Sequence, residues 1–264
     1  MKKMIFAALA LALLAPAAAL QSQAGLGRDQ EVWTWSGPLV AGQWARAHSI
    51  NGAVKYELSP DDQIHIRAEK KWGRRGDPED ISFALVRTAT GLTVCVLRHQ
   101  IDTCKEDGID SRRQRNYDND ARADLTIQVP RGVHVSANTV NGGVQVGGVS
   151  GEIKASTVNG GVTVATSGGP VSATTVNGSV RAEIGTATRE AMRFRTVNGS
   201  VEISLPGQTA ADLDISTVNG SINTEFPITV TGRWGPKNAR GTINGGGETI
   251  SISTVNGSVR LRRS

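Results

Sequence analysis

Apolar and polar side chains alternate with a period of two through much of the chain. Val171 and Ala173 precede one Asn-Gly dipeptide, Val180 and Ala182 follow it, and polar side chains occupy the positions between them. This alternation predicts β-strands with one buried and one solvated face. The apolar parity shifts by one residue at the dipeptide. Because Asn and Gly both tolerate positive φ, we expect a left-handed turn or corner there.

One hexapeptide, Thr-Val-Asn-Gly-(Gly/Ser)-Val, recurs in the second half of the chain. Copies begin at Thr139, Thr157, Thr175, Thr196, Thr217 (ending in Ile) and Thr254, with a degenerate copy at Thr242 and an outlying one at Ser49. Successive Asn residues from the copy at Thr139 onward are 18, 18, 21, 21, 25 and 12 residues apart. A nearly fixed step of 18–21 residues indicates stacked supersecondary units. We predict that the Asn-Gly pairs are structural corners and not catalytic groups: Asn51 with Gly52, Asn141 with Gly142, Asn159 with Gly160, Asn177 with Gly178, Asn198 with Gly199, Asn219 with Gly220, Asn244 with Gly245, and Asn256 with Gly257.

Two architectures satisfy this repeat. In a β-solenoid each unit is one coil, and identical residues stack about 4.8 Å apart, which places Val158 beside Val176 and builds an Asn ladder. In an antiparallel hairpin meander or sandwich, each Asn-Gly is a type I′ turn and Thr175 lies opposite Val180. We favour the solenoid, because stacking gives every residue its own copy as a neighbour and so explains why one hexapeptide recurs.

The first part of the chain is more varied. Residues 27–130 carry most of the aromatic side chains that follow the N-terminal leader. Since the open end of a solenoid must be covered, we predict that they form an aromatic-rich β region and cap, continuous with a solenoid over residues 131–264. A separate small β-domain is the alternative. At the other end, Arg260, Arg262 and Arg263 place charge on the last strand, which would block edge-to-edge growth.

The N-terminus predicts export. Residues 1–19 combine Lys2 and Lys3, an apolar run and a small-residue cleavage site, as a secretory signal peptide does, with an alternative cut after Ala24. We expect a product that is soluble after cleavage, in the periplasm or at the cell surface, with no transmembrane segment in the mature chain. An even cysteine count in an exported protein predicts a disulfide between Cys95 and Cys104, with two free thiols as the alternative.

Composition and charge narrow the functional classes. The 31 Gly do not recur at every third residue, so a collagen-like triple helix is excluded. The net charge of +5 falls to +3 without Lys2 and Lys3, so it favours no nucleic-acid partner. Basic groups in the predicted loops could meet acidic glycans or phospholipid headgroups, but exposed loop charge is the default interpretation. These groups are Lys70, Lys71, Arg74, Arg75, Arg112, Arg113 and Arg115.

The search for reactive groups predicts no catalytic, cofactor-binding or metal site. The four His are dispersed without metal-ligand spacing, and no Ser lies in a Gly-x-Ser-x-Gly turn. Glu183, Glu202 and Glu225 are at outward parity and alternate with Arg181 and Arg195. This alternation predicts a row of surface salt bridges, whereas a glycan-cleaving enzyme would need clustered carboxylates.

Several stretches together resemble the DUF4097 family of bacterial adhesin-like β-strand-repeat proteins. They are 91–95, Cys104, 123–132, the Thr-Val-Asn-Gly-Ser-Val copies, 241–247 and 253–261. The resemblance covers roughly residues 30–262. It implies a right-handed β-helix-like fold and an envelope location, and it carries no established activity, so no functional residue is transferred.

The sequence therefore predicts a non-enzymatic, exported cell-envelope protein with an adhesin-like binding or scaffold surface. Envelope glycans or surface proteins are the partners that this function suggests, and no cofactor is expected. A carbohydrate-active β-helix enzyme is one alternative, and a periplasmic accessory of an envelope-stress sensor is another. A flat Ser/Thr/Asn face would favour binding, and carboxylates clustered in a groove would favour the enzyme.

Overall fold

The computed structural model describes residues 32–98, 102–111, 119–186, 189–231 and 237–264. The predicted signal peptide and both of its cut sites lie outside the described residues, as do Arg112, Arg113 and Arg115. In the described part, the one helical segment is a 3-10 turn at Pro78–Asp80, and no helix there could cross a membrane.

The strands, in chain order, are β1 (Val32–Pro38), β2 (Trp44–His48), β3 (Val54–Leu58), β4 (Gln63–Lys71), β5 (Ser82–Thr88), β6 (Gly91–Leu97), β7 (Thr103–Lys105), β8 (Gly108–Asp110), β9 (Arg122–Val129), β10 (His134–Asn138), β11 (Val144–Val149), β12 (Ile153–Ser156), β13 (Val162–Thr166), β14 (Val171–Thr174), β15 (Val180–Ile184), β16 (Met192–Arg195), β17 (Val201–Leu205), β18 (Ala211–Asn219), β19 (Ile222–Thr224), β20 (Thr229–Thr231), β21 (Lys237–Ile243), β22 (Thr249–Asn256) and β23 (Val259–Arg263).

Two long sheets enclose the core. Sheet A has the order β1-β4-β9-β3-β11-β13-β15-β17-β23-β19, and sheet B has the order β20-β21-β18-β22-β16-β14-β12-β10-β2-β6-β5. Each coil contributes one strand to sheet B, turns at a Thr-Val-Asn-Gly corner, and contributes the next strand to sheet A. Neighbouring coils pair in parallel with identical positions in register, as Val162 does with Val180.

The β-solenoid prediction is therefore confirmed, and the hairpin meander is wrong. The Asn177 N–H donates to the carbonyl of Val158 in the neighbouring coil (2.7 Å), so Val158 and Val176 are stacked copies. Thr175 likewise bonds to the next coil, through its N–H and the carbonyl oxygen of Arg195 (2.9 Å), and not to Val180 across a turn.

The last two coils do not stack in chain order. Both strands of coil 249–263 insert between coil 192–205 and coil 211–224: β22 lies between β16 and β18, and β23 lies between β17 and β19. Strand β23 is thus paired on both sides. The prediction that Arg260, Arg262 and Arg263 protect an open edge is wrong, because the edge strand here is the three-residue β19. From the N-terminal cap outward, the coils are 44–58, 134–149, 153–166, 171–184, 192–205, 249–263 and 211–224.

The pairing changes from parallel to antiparallel at the N-terminal end of both sheets and at the other end of sheet B. At the N-terminal end, β4 pairs antiparallel with β9 and with β1, and β5 pairs antiparallel with β6. Trp33 stacks on Phe83 there, with ring centroids 5.1 Å apart. At the other end, β21 pairs antiparallel with β18 and β20. Residues 44–58 of the N-terminal region form a coil that stacks on coil 134–149.

The order of the coils predicts that two deletions of similar length have different effects on folding. Deleting 160–177 joins Asn159 to Gly178, removes β13 and β14 as one whole coil, and should leave a folded, shorter solenoid, since each coil contacts only its neighbours. Deleting 249–264 removes the coil on which 211–224 packs and should unfold the C-terminal end of the stack.

Circular dichroism, thermal unfolding and limited proteolysis of both deletion variants would test this. The first variant should keep the β spectrum and one cooperative transition, and the second should be cleaved within 206–247. Equal tolerance of the two deletions would contradict the inserted position of coil 249–263.

Candidate functional site

The Asn side chains of the corners form a continuous ladder along one edge of the solenoid. Each Nδ2 donates to the Oδ1 of the Asn in the adjacent coil, at 2.8–2.9 Å. Because the amides from Asn141 onward all point the same way, their bonds polarise one another. The donor–acceptor pairs are Asn141 with Asn51, Asn159 with Asn141, Asn177 with Asn159, Asn198 with Asn177, Asn256 with Asn198, and Asn219 with Asn256.

The Thr of each corner is buried and satisfies a neighbouring backbone carbonyl. Its hydroxyl donates to the Gly carbonyl of the adjacent coil; for Thr175 and Gly160 the distance is 2.8 Å. A buried carbonyl oxygen left without this donor would cost about 1–3 kcal/mol, which explains Thr at this position. The same bond joins Thr139 to Gly52, Thr157 to Gly142, Thr196 to Gly178, Thr254 to Gly199, and Thr217 to Gly257.

The Gly of each corner is required by the close approach of two coils and not by left-handed backbone. A Cβ on Gly178 would lie 2.0 Å from the carbonyl oxygen of Gly160. Among the Gly of the stacked corners only Gly52 has positive φ (131°), so the expectation of left-handed corners is wrong for the others. The Gly with the same short approach of 1.9–2.1 Å are Gly52, Gly142, Gly160, Gly199, Gly220 and Gly257.

Asn244 and Gly245 lie outside this ladder. They have φ of 49° and 89° in a turn after β21, and Asn244 Nδ2 lies 2.9 Å from the carbonyl oxygen of Gly207 and 2.7 Å from that of Thr209. This pair is therefore a local turn and not a corner of the stack.

The structure joins Cys95 to Cys104 in a disulfide, with Cα atoms 5.7 Å apart. The bridge holds the β7–β8 hairpin against the outer side of β6, which is buried along its whole length. Glu106 at the hairpin tip pairs with Arg46 of sheet B (3.1 Å). Burial lowers the pKa of His48 nearby, although a backbone hydrogen bond to Glu106 opposes the shift.

The outer face of sheet A carries cations that are already paired. Glu202 on β17 binds Arg181 of β15 (3.5 Å) and Arg262 of β23 (3.0 Å), so one carboxylate links three strands. Of the predicted row of salt bridges, the Arg181–Glu202 pair is present. Within the described residues no ion pair joins Glu183 or Glu225 to an arginine, and Arg195 lies on sheet B.

A groove on sheet A near the N-terminal cap is neutralised in the same way. Lys71 donates to Asp124 (2.8 Å), and this bond raises the pKa of Lys71. Partial burial alone would raise the pKa of Asp124, but the bonds from Lys71 and from the Ala53 N–H outweigh it and lower that pKa. The neighbouring Lys70 is buried and donates to the Pro78 carbonyl oxygen (2.9 Å). Neither lysine therefore belongs to a free basic patch.

Sequence reasoning missed a Ser, a His and an Asp that hydrogen-bond in a row at the edge of the cap. Ser36 Oγ lies 2.8 Å from His65 Nδ1, and His65 Nε2 lies 2.8 Å from Asp61 Oδ1. The His65 bond lowers the pKa of Asp61. The His65 and Asp61 side chains are 32% and 52% exposed. A proton relay this open to water lacks the low-dielectric surroundings that make hydrolytic triads effective.

The outer surface of β12, β14, β16 and β22 in sheet B has a different character, and we call it the arginine face. Its outward residues are Lys154, Ser156, Ser172, Thr174, Arg193, Arg195, Ser251 and Ser253. Arg193 pairs in register with Ser172 and Ser251, and Arg195 pairs with Thr174 and Ser253. Two exposed guanidinium groups thus stand among four small hydroxyl side chains on a flat, regular surface.

The corner itself adds an apolar row beside the Asn ladder. The Val between Thr and Asn points outward in each copy and is 38–39% exposed at Val140, Val158, Val176, Val218 and Val255. The described residues contain no group of three or more His, Cys, Asp or Glu that could hold a metal ion.

Comparison with known proteins gives one family and several distant structures. The family model described as Toastrack DUF4097 matches residues 116–262, which is more than half of the chain. A putative cell adhesion protein from Clostridium sporogenes is similar over 88% of this chain and 100% of its own, with 8% identity and a TM-score of 0.42. A putative adhesin from Bacteroides fragilis is similar over 91% of this chain and 100% of its own, with 14% identity and a TM-score of 0.42. No curated protein matches the chain.

The corner geometry predicts that Gly178→Ala destabilises the solenoid although Gly178 does not have a positive φ. Its Cβ would have to displace the backbone of the adjacent coil at Gly160, so we expect a loss of about 2–3 kcal/mol in the free energy of unfolding, measured in urea. Gly207→Ala is the matched control, since its Cβ would meet no atom within 4 Å and the change should stay within about 0.5 kcal/mol. Equal stability of both variants would show that the coils can separate at the corner.

We predict that reduction of the disulfide loosens the β7–β8 hairpin and leaves the coils unchanged. Opening the bridge between Cys95 and Cys104 removes a closed loop of about ten residues and should lower the free energy of unfolding by about 2–3 kcal/mol. Hydrogen exchange should rise at 103–110 and stay unchanged at 153–184, with Cys95→Ala/Cys104→Ser as the matched variant. Faster exchange throughout the coils would contradict the view that the hairpin is an appendage.

Proposed function

The chain belongs to the Toastrack DUF4097 family, and we propose that it is a non-enzymatic, exported cell-envelope protein that presents an adhesin-like binding or scaffold surface on stacked β-strand repeats. The observation that carries the proposal is the arginine face, where two exposed guanidinium groups and a regular set of hydroxyls lie on a surface that the ladders hold in register. Adhesion surfaces of this kind need rigid, repeated polar contacts more than a deep cavity.

Export is supported by the leader pattern of residues 1–19 and by the Cys95–Cys104 disulfide, because structural disulfides persist in oxidising compartments. Envelope glycans and surface proteins are the partners proposed. The periplasm and the cell surface are both compatible with this proposal, as is a role as accessory of an envelope-stress sensor.

One experiment tests location and binding together. The full chain, expressed in a bacterial host, should lose its leader and reach the periplasm or the cell surface, and a variant without residues 2–19 should stay in the cytoplasm. The purified mature protein should then retain a component of an envelope polysaccharide fraction. A full chain that remains uncleaved in the cytoplasm, or a mature protein that retains nothing from envelope glycans and surface proteins, would overturn the proposal.

An enzymatic alternative now has a specific test, because Ser36, His65 and Asp61 form a hydrogen-bonded row. We expect no turnover of small acyl esters above that of a Ser36→Ala variant and no release of reducing ends from polysaccharides. Turnover that disappears in Ser36→Ala would make the protein a hydrolase and would contradict the non-enzymatic proposal.

A further inference from the structure

We propose that the arginine face binds a linear acidic polysaccharide, with Arg193 and Arg195 holding its carboxylate groups and the surrounding hydroxyls holding its sugar hydroxyls. This inference rests on the proposed function, because it names the ligand class of the same surface.

The two arginines are placed to act together. They are separated by one residue on β16, so both point outward from sheet B, about 6–7 Å apart along the strand. Strand β16 is an inner strand of sheet B, with β14 on one side and β22 on the other. Each of these neighbouring strands lies about 4.8 Å from β16. The spacing of the two arginines is therefore fixed by backbone pairing on both sides.

Arg193 and Arg195 also differ in pairing from three other cations of sheet B. Lys154 has Glu152 (2.9 Å), Arg240 has Asp214 (3.3 Å) and Arg46 has Glu106 as carboxylate partners. Within the described residues, no ion pair joins Arg193 or Arg195 to a carboxylate. An exposed guanidinium can offer a planar fork of N–H donors that matches an incoming carboxylate in a bidentate manner.

The neighbours of the two arginines match a sugar. Ser172, Thr174, Ser251 and Ser253 are half-buried and short, so they leave the guanidinium groups accessible. A hydroxyl both donates and accepts hydrogen bonds, as sugar hydroxyls do, and a flat array of hydroxyls can bond to successive sugars along a chain. A shallow groove of about 250 Å³ opens beside Arg193 and is lined by Ser172, Ser251, Thr249 and Glu152.

The small number of cations on the arginine face favours a glycan over a polyphosphate. Glu152 lies in the groove beside Arg193, and Asp214 is in register with Ser251 on the next strand. Both carboxylates can accept hydrogen bonds from sugar hydroxyls, although Lys154 and Arg240 already pair with them. Nucleic-acid affinity depends on neutralising many phosphates, and two unpaired arginines cannot do so.

The opposite face supplies a matched control. Arg181 and Arg262 on sheet A are also two outward arginines, on the strands β15 and β23 that flank β17, but both already bind Glu202. Arg181→Gln/Arg262→Gln changes the net charge by the same amount as Arg193→Gln/Arg195→Gln. Any effect of overall charge on binding should therefore be the same for the two double variants.

The experiment measures binding of polygalacturonate oligosaccharides to the mature protein by calorimetry. We expect saturable binding that weakens with added salt and falls at least about tenfold in Arg193→Gln/Arg195→Gln, with little change in the control variant. Fully methyl-esterified polygalacturonate, which has no free carboxylates, should bind no better to the wild type than to that variant. Unchanged thermal unfolding would show that both variants are folded.

Four results would overturn the inference. They are equal losses in the two double variants, undiminished binding in Arg193→Gln/Arg195→Gln, no binding of polygalacturonate to the wild type, and tighter binding of duplex DNA or anionic vesicles than of polygalacturonate through the same arginines. Retention of the envelope polysaccharide fraction by the wild type and by Arg193→Gln/Arg195→Gln distinguishes failure of this inference from failure of the proposed function. Retention of that fraction by wild type and Arg193→Gln/Arg195→Gln alike would refute the ligand assignment alone, whereas a wild type that retains no envelope component would refute the proposed function as well.

Discussion

The closest approach of neighbouring coils, at the Asn-Gly corner, is the constraint on which the rest of the structure depends. The carbonyl of one Gly occupies the space where the Cβ of the next would be, as Gly160 and Gly178 show. That carbonyl also accepts the hydroxyl proton of a buried Thr, and the adjacent Asn amides bond in a row. Each residue of the hexapeptide therefore has a role only because its own copy lies in the next coil, so the motif repeats with little variation.

This locked corner sets the register of both sheets, and the register determines the core and the surface. The interior is narrow and is filled chiefly by Val, Ile, Leu and Ala. Tyr56 is one of the few large side chains inside, where burial raises its pKa and its hydroxyl lies within hydrogen-bond distance of the Ala45 and Ser136 carbonyl oxygens (2.9 and 3.1 Å). The same register arranges outward side chains in rows across the coils. On sheet A the rows become ion pairs, and on sheet B they leave two arginines among hydroxyls.

The ends of the stack solve a separate problem. A parallel solenoid exposes unpaired strand edges that could recruit another chain. Here the N-terminal end changes to antiparallel strands in both sheets, the other end does so in sheet B, and sheet A ends on the three-residue β19. Coil 249–263 inserts where both of its strands gain two partners. The cap also brings distant residues into contact, since Ser36 and His65 meet only because β1 and β4 pair antiparallel.

The sequence by itself determined the strands, seven of the eight predicted corners and the length of the coils, because period-two alternation and the Asn-Gly repeat are local patterns that survive in any stacked arrangement. It also determined which side chains face outward, but not on which sheet, so Arg195 and Glu202 looked like neighbours although a corner separates their strands. The tertiary structure alone decided the order of the coils. The copies at Thr217 and Thr254 carry the same hexapeptide, and either could form the ladder beside Asn198, so only the packing of complete strands places Asn256 there. It also decided why each corner needs Gly, because a clash between two coils leaves no trace in the local sequence.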